Sequence, residues 1–175
     1  KGQVISDTGQ IFMDSEKGIF ILKAPKVFSF SGFTANAPEQ EFNGIRIVSR
    51  SDFSTFTVAS MDGKNISESG RLLLVIVGRA MNTGQKIAPH ITKKIDDLER
   101  DVYILDKGTA PILAEGVECN IFIKKNTGDK GMEIFCLDEN GARKSSFRPV
   151  KENGGFSFNI STAKNKTIYY EIVKE

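Results

Sequence analysis

Hydrophobic and polar residues alternate along much of this chain, and one unbroken apolar run stands out from that pattern. Residues Leu72 to Val77 are all apolar and have polar residues on both sides, as expected for a strand that is covered on both faces. Before this run, Phe56 and Val58 alternate with threonines, which is typical of a half-buried strand. Asp62-Gly63 favours the positive φ angles of a tight turn. We therefore predict that two core strands pair here, joined by a polar loop.

Short apolar segments recur through the rest of the chain, separated by Gly, Asn, Asp and Ser. This spacing is typical of an all-β sandwich or barrel. We expect about a dozen strands and at most one short helix. The predicted fold class is therefore all-β, an antiparallel β-sandwich of two sheets that is jelly-roll-like. The further predicted strands lie near Gln10–Met13, Gly18–Leu22, Val27–Ser31, Gly44–Ser49, Val102–Leu105, Ala110–Ala114, Val117–Ile123, Met132–Leu137, Phe156–Ile160 and Thr167–Val173.

Three stretches depart from the strand pattern. Asn36 to Asn43 is polar and contains a proline, so it is interpreted as a loop. Met81 to His90 has no firm period and contains two turn-forming steps, which predicts a long surface loop. Ile91 to Arg100 is predicted to hold one short helix, because Ile95 and Leu98 would share one helical face.

Length and charge limit the classes of protein and partner. At 175 residues, the chain is long enough for one filled core, so we expect a single domain over residues 1–175. A net charge of +2 gives no strong field for nucleic acid or an anionic membrane. No apolar run approaches the roughly 20 residues that span a bilayer. We expect a monomer that binds no nucleic acid and does not insert into a membrane.

The start of the chain has neither an initiator methionine nor the apolar core of a signal peptide. It enters strand-like sequence almost at once. We therefore expect a piece of a longer, exported chain whose export signal lies elsewhere.

The two cysteines have two interpretations. Cys119 and Cys136 each fall within an apolar, strand-like segment, which favours two small buried hydrophobic side chains. A disulfide between neighbouring strands is the alternative, and it would support an exported location. With one distant histidine, His90, they favour neither a zinc site nor a Cys/His nucleophile.

Asp96, Asp97, Glu99 and Asp101 form the densest acidic cluster in the chain. Lysine and arginine residues interleave with them, so the first interpretation is a solvated, charged loop. The functional alternative is a structural calcium site, because Ca²⁺ takes six to eight oxygen ligands and the loops of a β-sandwich can supply them. The spacing matches no known loop signature. Calcium is the one cofactor that the sequence suggests.

Aromatic residues bear on sugar binding, since flat rings stack against the apolar faces of pyranoses. The chain has no Trp, thirteen Phe and three Tyr, and most of the Phe rings are expected in the core. Tyr103, Tyr169 and Tyr170 are the candidate carbohydrate contacts. Tyr169 and Tyr170 are adjacent on one predicted strand, so their side chains must point to opposite faces and at most one can be in the core.

Six motifs, spread over nearly the whole chain, carry a resemblance to a known family. They are Ser6-Asp7-Thr8-Gly9-Gln10-Ile11, Val58-Ala59-Ser60-Met61-Asp62-Gly63-Lys64, Arg71-Leu72-Leu73-Leu74, Val77-Gly78-Arg79-Ala80, Ala110-Pro111-Ile112-Leu113-Ala114-Glu115-Gly116-Val117 and Ile168-Tyr169-Tyr170-Glu171-Ile172. With these motifs the chain resembles the C-terminal β-sandwich accessory domain of large bacterial multidomain glycoside hydrolases, which is similar to carbohydrate-binding modules. The sequence departs from the family pattern at Phe12-Met13, where a tryptophan is expected, and in the loop Gln85 to Arg100.

The resemblance implies a non-catalytic accessory module of a secreted or cell-surface bacterial carbohydrate-active enzyme. Such a module would bind polysaccharide or support the adjacent catalytic domain, with the chemistry in a separate barrel domain. The alternative is an adhesion-type sandwich that binds a protein, since sandwiches carry many functions. No acid/base pair or nucleophile constellation can be assembled from the sequence, so an independent hydrolase is disfavoured.

Overall fold

The computed structural model describes residues 2–95 and 98–175, and the side chains of residues 2–88 and 104–175. The described residues contain eighteen strands, more than the dozen that the sequence predicts. They are β1 (Gln3–Ile5), β2 (Ile11–Asp14), β3 (Ile19–Ala24), β4 (Val27–Phe33), β5 (Glu39–Phe42), β6 (Ile45–Ser49), β7 (Phe53–Ser60), β8 (Arg71–Val77), β9 (Ala80–Thr83), β10 (Lys86–Ile95), β11 (Leu98–Asp106), β12 (Thr109–Ala114), β13 (Glu118–Lys124), β14 (Met132–Leu137), β15 (Arg143–Phe147), β16 (Val150–Glu152), β17 (Gly155–Ser161) and β18 (Tyr169–Lys174).

Fourteen of these strands form the two sheets of an antiparallel β-sandwich, which confirms the predicted fold class. The large sheet has nine strands in the order β1-β2-β3-β4-β7-β8-β18-β14-β15. The small sheet has five, in the order β16-β17-β13-β6-β5. Sequence neighbours pair in hairpins, whereas β8–β18 and β6–β13 join distant parts of the chain.

The hydrophobic core lies between the two sheets, because each strand turns alternate side chains inward. The large sheet contributes Phe28, Phe30 and Phe56, and the ring centroid of Phe56 lies 5.5 Å from that of Phe28 and 5.3 Å from that of Phe30. Ile47 and Ile121 are among the buried side chains of the small sheet. Both sets belong to one continuous cluster of buried residues.

The apolar run of β8 is covered more fully on one face than on the other. Leu72, Leu74 and Ile76 are at most 1% exposed, whereas Leu73 and Val75 are only half-buried. The prediction that both faces of this run are covered is therefore wrong for the outward one. On that face, Leu73 is paired with Ala59 and Glu171, and Val75 with Thr57 and Tyr169, so neighbouring side chains cover both residues in part.

The chain divides into two compact units. Lys1–Gly78 and Gly116–Glu175 make up the first, which contains the whole sandwich, and Arg79–Glu115 is the second. In the second unit β10 pairs with β11, and β9 pairs with β12. The expectation of a single domain over residues 1–175 stays a prediction.

The second unit contains the largest errors of the sequence analysis. Residues Ile91–Ile95 are extended and pair with Leu98–Val102, so the short helix predicted over Ile91 to Arg100 is wrong. The predicted loop from Met81 to His90 is also wrong, since β9 and the first half of β10 occupy most of it. Two apolar residues at helical spacing could not outweigh cross-strand pairing, because a helix this short is unstable alone. Pro89 is tolerated in β10 where the register shifts between Ile87 and Ile91.

Helix is confined to two short segments in the described residues. One is a 3₁₀ turn at Thr34–Asn36, and the other is α1, Thr162–Asn165, which lies outside the stretch predicted to be helical. Neither segment is long enough to cross a bilayer. The Ser161 hydroxyl caps α1 by accepting a hydrogen bond from the Lys164 N–H.

The turn at Asp62-Gly63 forms as predicted, with Gly63 at φ 77°. The Asp62 carboxylate accepts hydrogen bonds from Gly70 N–H and from the Ser60 hydroxyl. Burial opposes ionisation of Asp62, but these hydrogen bonds outweigh it, and the pKa lies well below its ordinary value. The loop predicted over Asn36 to Asn43 instead contains the edge strand β5.

Both cysteines are free and buried, which confirms the first interpretation of them. Cys119 lies on β13 of the small sheet and Cys136 on β14 of the large sheet, so they do not belong to neighbouring strands. Burial raises the pKa of the Cys119 thiol to about 12.

Truncation of Leu74 tests the core. Leu74→Ala removes a fully buried side chain, and we expect the free energy of unfolding to fall by about 2–5 kcal/mol. Leu73→Ala, on the outward face of the same strand, should cost about 1 kcal/mol. Urea denaturation of both variants measures the difference. Equal losses would contradict the one-sided burial of β8.

The thiols offer a second test of the sandwich. Because both are buried and the Cys119 pKa is raised, neither should react with a thiol-specific disulfide reagent in the native protein at pH 8. In denaturant, two thiols per chain should react at once. Rapid reaction of either thiol under native conditions would show that the core opens there.

Candidate functional site

The outward side of the small sheet carries a set of polar side chains. Cross-strand neighbours in an antiparallel sheet point to the same side, so the register of β6, β13 and β17 decides which side chains share it. Arg50 follows β6 and continues its pairing, since its N–H donates to the Glu118 carbonyl at 2.8 Å. We call this surface the polar face; it comprises Arg46, Val48, Arg50, Glu118, Asn120, Phe122, Ser157, Asn159 and Ser161.

Two amides lie at the centre of the polar face. Asn120 on β13 is directly opposite Asn159 on β17, and its Nδ2 donates to Asn159 Oδ1 at 3.2 Å. Asn159 is exposed and Asn120 is half-buried. Asn120 Nδ2 also donates to Ser157 Oγ at 3.5 Å. In the described part of the chain, Asn120 Oδ1 and Asn159 Nδ2 make no side-chain hydrogen bond, which leaves an acceptor and two donor hydrogens for an outside partner.

One aromatic ring lies beside these amides. Phe122 is half-buried, and the guanidinium carbon of Arg46 lies 5.4 Å from its ring centroid. Gly155, on the neighbouring strand β17, lies against the ring, since a Cβ there would be 2.5 Å from Phe122 Cζ. Glycine is therefore required at this position. The ring is fixed between a guanidinium and a strand backbone.

Two grooves meet at Asn159. The Arg148 groove has a volume of about 340 Å³ and is lined by Asn120, Arg148, Glu152 and Asn159, among others. The Arg50 groove has a volume of about 350 Å³ and is lined by Arg50, Glu118, Asn159, Ser161, Lys164 and Asn165, among others. Together they run along the β17 side of the polar face. Each contains one carboxylate.

The outward side of the large sheet has a different character. Along one register line, Val4, Met13 and Phe20 are followed by Ser31, Thr55 and Val77. The three apolar residues at its edge are 36–55% exposed. In the middle, Ser31 and Thr55 share a hydrogen bond of 2.8 Å between their hydroxyls. We call this surface the apolar face.

Phe33 extends the apolar face at the end of β4. It is 48% exposed, and its ring centroid lies 5.5 Å from that of Phe53 in an edge-to-face arrangement. Gly18 lies under the ring, because a Cβ there would be 2.7 Å from Phe33 Cδ2. Gly18 also has φ 62°, which other residues rarely adopt. Glycine at position 18 thus allows both the backbone conformation of the turn and the close approach of the Phe33 ring.

The candidate tyrosines are divided among three environments. Tyr170 is fully buried, and its hydroxyl donates to the Thr167 carbonyl at 3.1 Å. Burial raises the pKa of Tyr170 far above its ordinary range. It is therefore closed to a ligand, whereas Tyr169 is 36% exposed on the apolar face. The opposite orientation of the pair is as predicted. Tyr103 lies on β11, and its side chain is outside the described residues.

The side chains of the predicted calcium ligands also lie outside the described residues. Asp96 and Asp97 fall in the gap of the described residues. Glu99 and Asp101 belong to β11, but their side chains are not among those described. The structural calcium site therefore stays a prediction.

A buried carboxylate on the outward side of the large sheet was missed by the sequence analysis. Glu171 on β18 is 4% exposed and accepts a hydrogen bond from Arg71 Nε and another, of 2.6 Å, from Arg143 Nε. The Arg143 guanidinium also stacks on Phe135, 3.7 Å from the ring centroid. These hydrogen bonds hold the pKa of Glu171 below its ordinary value of 4.5, and the bond from Arg143 has the largest effect.

The central amides were missed for a different reason. Asn120 alternates with Cys119 and Ile121, and Asn159 alternates with Phe158 and Ile160, so the pattern does predict that each amide faces outward. Only the register of β13 against β17 shows that they are opposite one another. That pairing joins residues 39 positions apart, and no local signal specifies it.

Removal of the Glu171 charge should destabilise the fold in a pH-dependent way. Because the folded-state pKa is lowered, ionised Glu171 stabilises the protein above pH 4.5 and loses this effect as the pH falls through the folded-state pKa. Glu171→Gln should cost about 1–2 kcal/mol at pH 7, since both arginines are half-exposed. Urea denaturation between pH 7 and pH 3 checks this.

The matched control is Glu115→Gln, at a more exposed carboxylate that Arg79 holds at 2.8 Å. It should cost under about 1 kcal/mol. A Glu171→Gln variant as stable as wild type at pH 7, or a loss that does not shrink as the pH falls from 7 to 3, would show that the charge does not stabilise the sheet.

Comparison with known proteins offers no assignment by similarity. No family model, curated protein or solved structure matches this chain.

Proposed function

We propose that this chain is a non-catalytic β-sandwich module that binds polysaccharide through its polar face, as an accessory part of a secreted bacterial carbohydrate-active enzyme. The observation that carries the proposal is the grouping on one surface of a ring, two amides and two arginines beside open grooves. The motif resemblance described above agrees with this function.

The chemistry of the polar face suits a sugar chain. Pyranoses present hydroxyls at the ring edge and C–H groups on the ring faces. Asn120 and Asn159 can donate to and accept from hydroxyls, and a half-buried ring such as Phe122 can contact a C–H face. Neither groove is an enclosed cavity, which suits a polymer more than a small molecule held in a closed pocket.

A binding role is favoured over hydrolysis by the carboxylates. Glycoside hydrolysis in most families uses two carboxyl groups that flank the scissile bond. Glu152 lines the Arg148 groove and Glu118 lines the Arg50 groove, so each groove has a single carboxylate. Among its lining residues, neither groove has a second carboxyl group, so neither offers a pair that could act as general acid and general base.

The apolar face favours a second task, support of an adjacent catalytic domain. Val4, Met13, Phe20 and Phe33 are 36–55% exposed on one side of the large sheet. Exposed apolar groups on a sheet face are suited to packing against another domain. The two tasks use opposite sides of the sandwich, so they are compatible. An adhesion-type module that binds a protein is the alternative to both.

Retardation in native gels that contain polysaccharide tests the binding function. We expect retardation by at least one member of a panel of plant and microbial glycans. Asn159→Ala should weaken the affinity for that glycan about tenfold, because it removes hydrogen bonds made to the sugar. Asn140→Ala, at an exposed amide in the turn after β14, is the matched control and should bind as wild type does.

Two results would contradict this proposal. If no glycan retards the wild-type chain, the binding function is wrong. If Phe33→Ala abolishes retardation while Asn159→Ala does not, the glycan binds to the apolar face instead of the polar face.

A further inference from the structure

One arginine on the polar face differs from the others in its pairing. Among the arginines whose side chains are described, Arg50 makes no ion pair within 4.0 Å and no side-chain hydrogen bond. Lys164, which lines the same groove, is also exposed and has no ion-pair partner among the described residues. The remaining described arginines each lie within 4.0 Å of a carboxylate: Arg46, Arg71, Arg79, Arg143 and Arg148.

The backbone around these two cations is well anchored. Arg50 N–H donates to the Glu118 carbonyl at 2.8 Å, and Glu118 N–H donates to the Ser51 hydroxyl at 3.1 Å. Lys164 belongs to α1, which Ser161 caps. The Asn165 side chain accepts a hydrogen bond from Ser161 N–H at 3.3 Å. The two cations therefore project from fixed positions into a groove that exists before any ligand arrives.

The charge balance of the Arg50 groove favours an anion. Arg50 and Lys164 give two positive charges, and Glu118 gives the one negative charge among the lining residues. Glu118 lies opposite the Arg50 position on the sheet but forms no ion pair with it within 4.0 Å in the described part of the chain. Two exposed cations without a carboxylate partner in the described part of the chain can donate hydrogen bonds to an incoming carboxylate.

We infer that the Arg50 groove binds the carboxylate of a uronic-acid residue, so that the ligand of this module is an acidic glycan. The guanidinium of Arg50 forms two parallel hydrogen bonds to the carboxylate, and Lys164 adds a point charge. Asn159 and Ser161 bind the hydroxyls of the same sugar. A volume of about 350 Å³ is at the small end for ligand sites, as expected for one or two sugar rings. This inference rests on the proposed function, whose ligand class it names.

The test compares one polymer with and without its charge. Isothermal titration of the full chain with polygalacturonate should show binding, and the methyl-esterified polymer, which lacks free carboxylates, should bind about tenfold more weakly or worse. This comparison uses the wild-type protein and depends on no variant.

Variants then locate the charge-dependent site. Arg50→Gln should weaken binding of polygalacturonate about tenfold, and Lys164→Gln should weaken it by a smaller factor. Lys26→Gln, an equal loss of charge at an exposed lysine in the turn between β3 and β4 of the other sheet, should change nothing. A thermal melt of each variant confirms that it is folded.

The outcomes separate this inference from the proposed function. Equal binding of the acidic and esterified polymers, or an equal loss in Lys26→Gln and Arg50→Gln, would overturn the inference. Binding of neutral glycans that depends on Asn159 but not on Arg50 would overturn it while the proposed function stands. Failure to bind any polysaccharide would overturn the proposed function itself.

Discussion

The alternation of side chains along paired strands is the constraint on which the rest of this structure depends. In β8, Leu72, Leu74 and Ile76 must face the interior together, because successive residues of a strand point to opposite sides. Burial of this row between two sheets stabilises the sandwich. It also determines which side chains face outward, since a shift of register by one residue would exchange the inward-facing and the outward-facing side chains. Core packing and the composition of the outer faces are therefore set by the same register.

This coupling explains how two unlike surfaces arise on one sandwich. On the small sheet, the register that buries Cys119 and Ile121 places Asn120 opposite Asn159. On the large sheet, the register that buries Phe30 and Phe56 lines up Phe20 with Ser31 and Thr55. The polar face has the ring, amides and guanidiniums that suit a sugar chain, and the apolar face suits contact with another domain. Under the proposed function, the polar face would bind the ligand and the apolar face would contact a neighbouring domain.

Local sequence signals predict the sandwich well, and pairing between distant residues is where they fail. The strands Val27–Phe33, which alternates Phe with Ser, and Met132–Leu137, which is a short apolar segment, are both predicted to within a few residues. The helix expected at Ile91 to Arg100 is wrong because local periodicity cannot weigh cross-strand pairing. Glu171 was missed because its arginine partners lie 28 and 100 positions away in the chain. A site formed by residues of several strands depends on the register in which those strands pair. The sequence of one strand does not specify that register.

The most direct test of a ligand site on the polar face is NMR mapping of the backbone amides. The labelled chain would be titrated with tetramers of galacturonate, glucose and mannose. The account predicts that at least one tetramer shifts the amide signals around Asn120, Phe122 and Asn159, with little change in β1 to β4. Shifts confined to β1 to β4, or no shift with any of the three sugars, would contradict it.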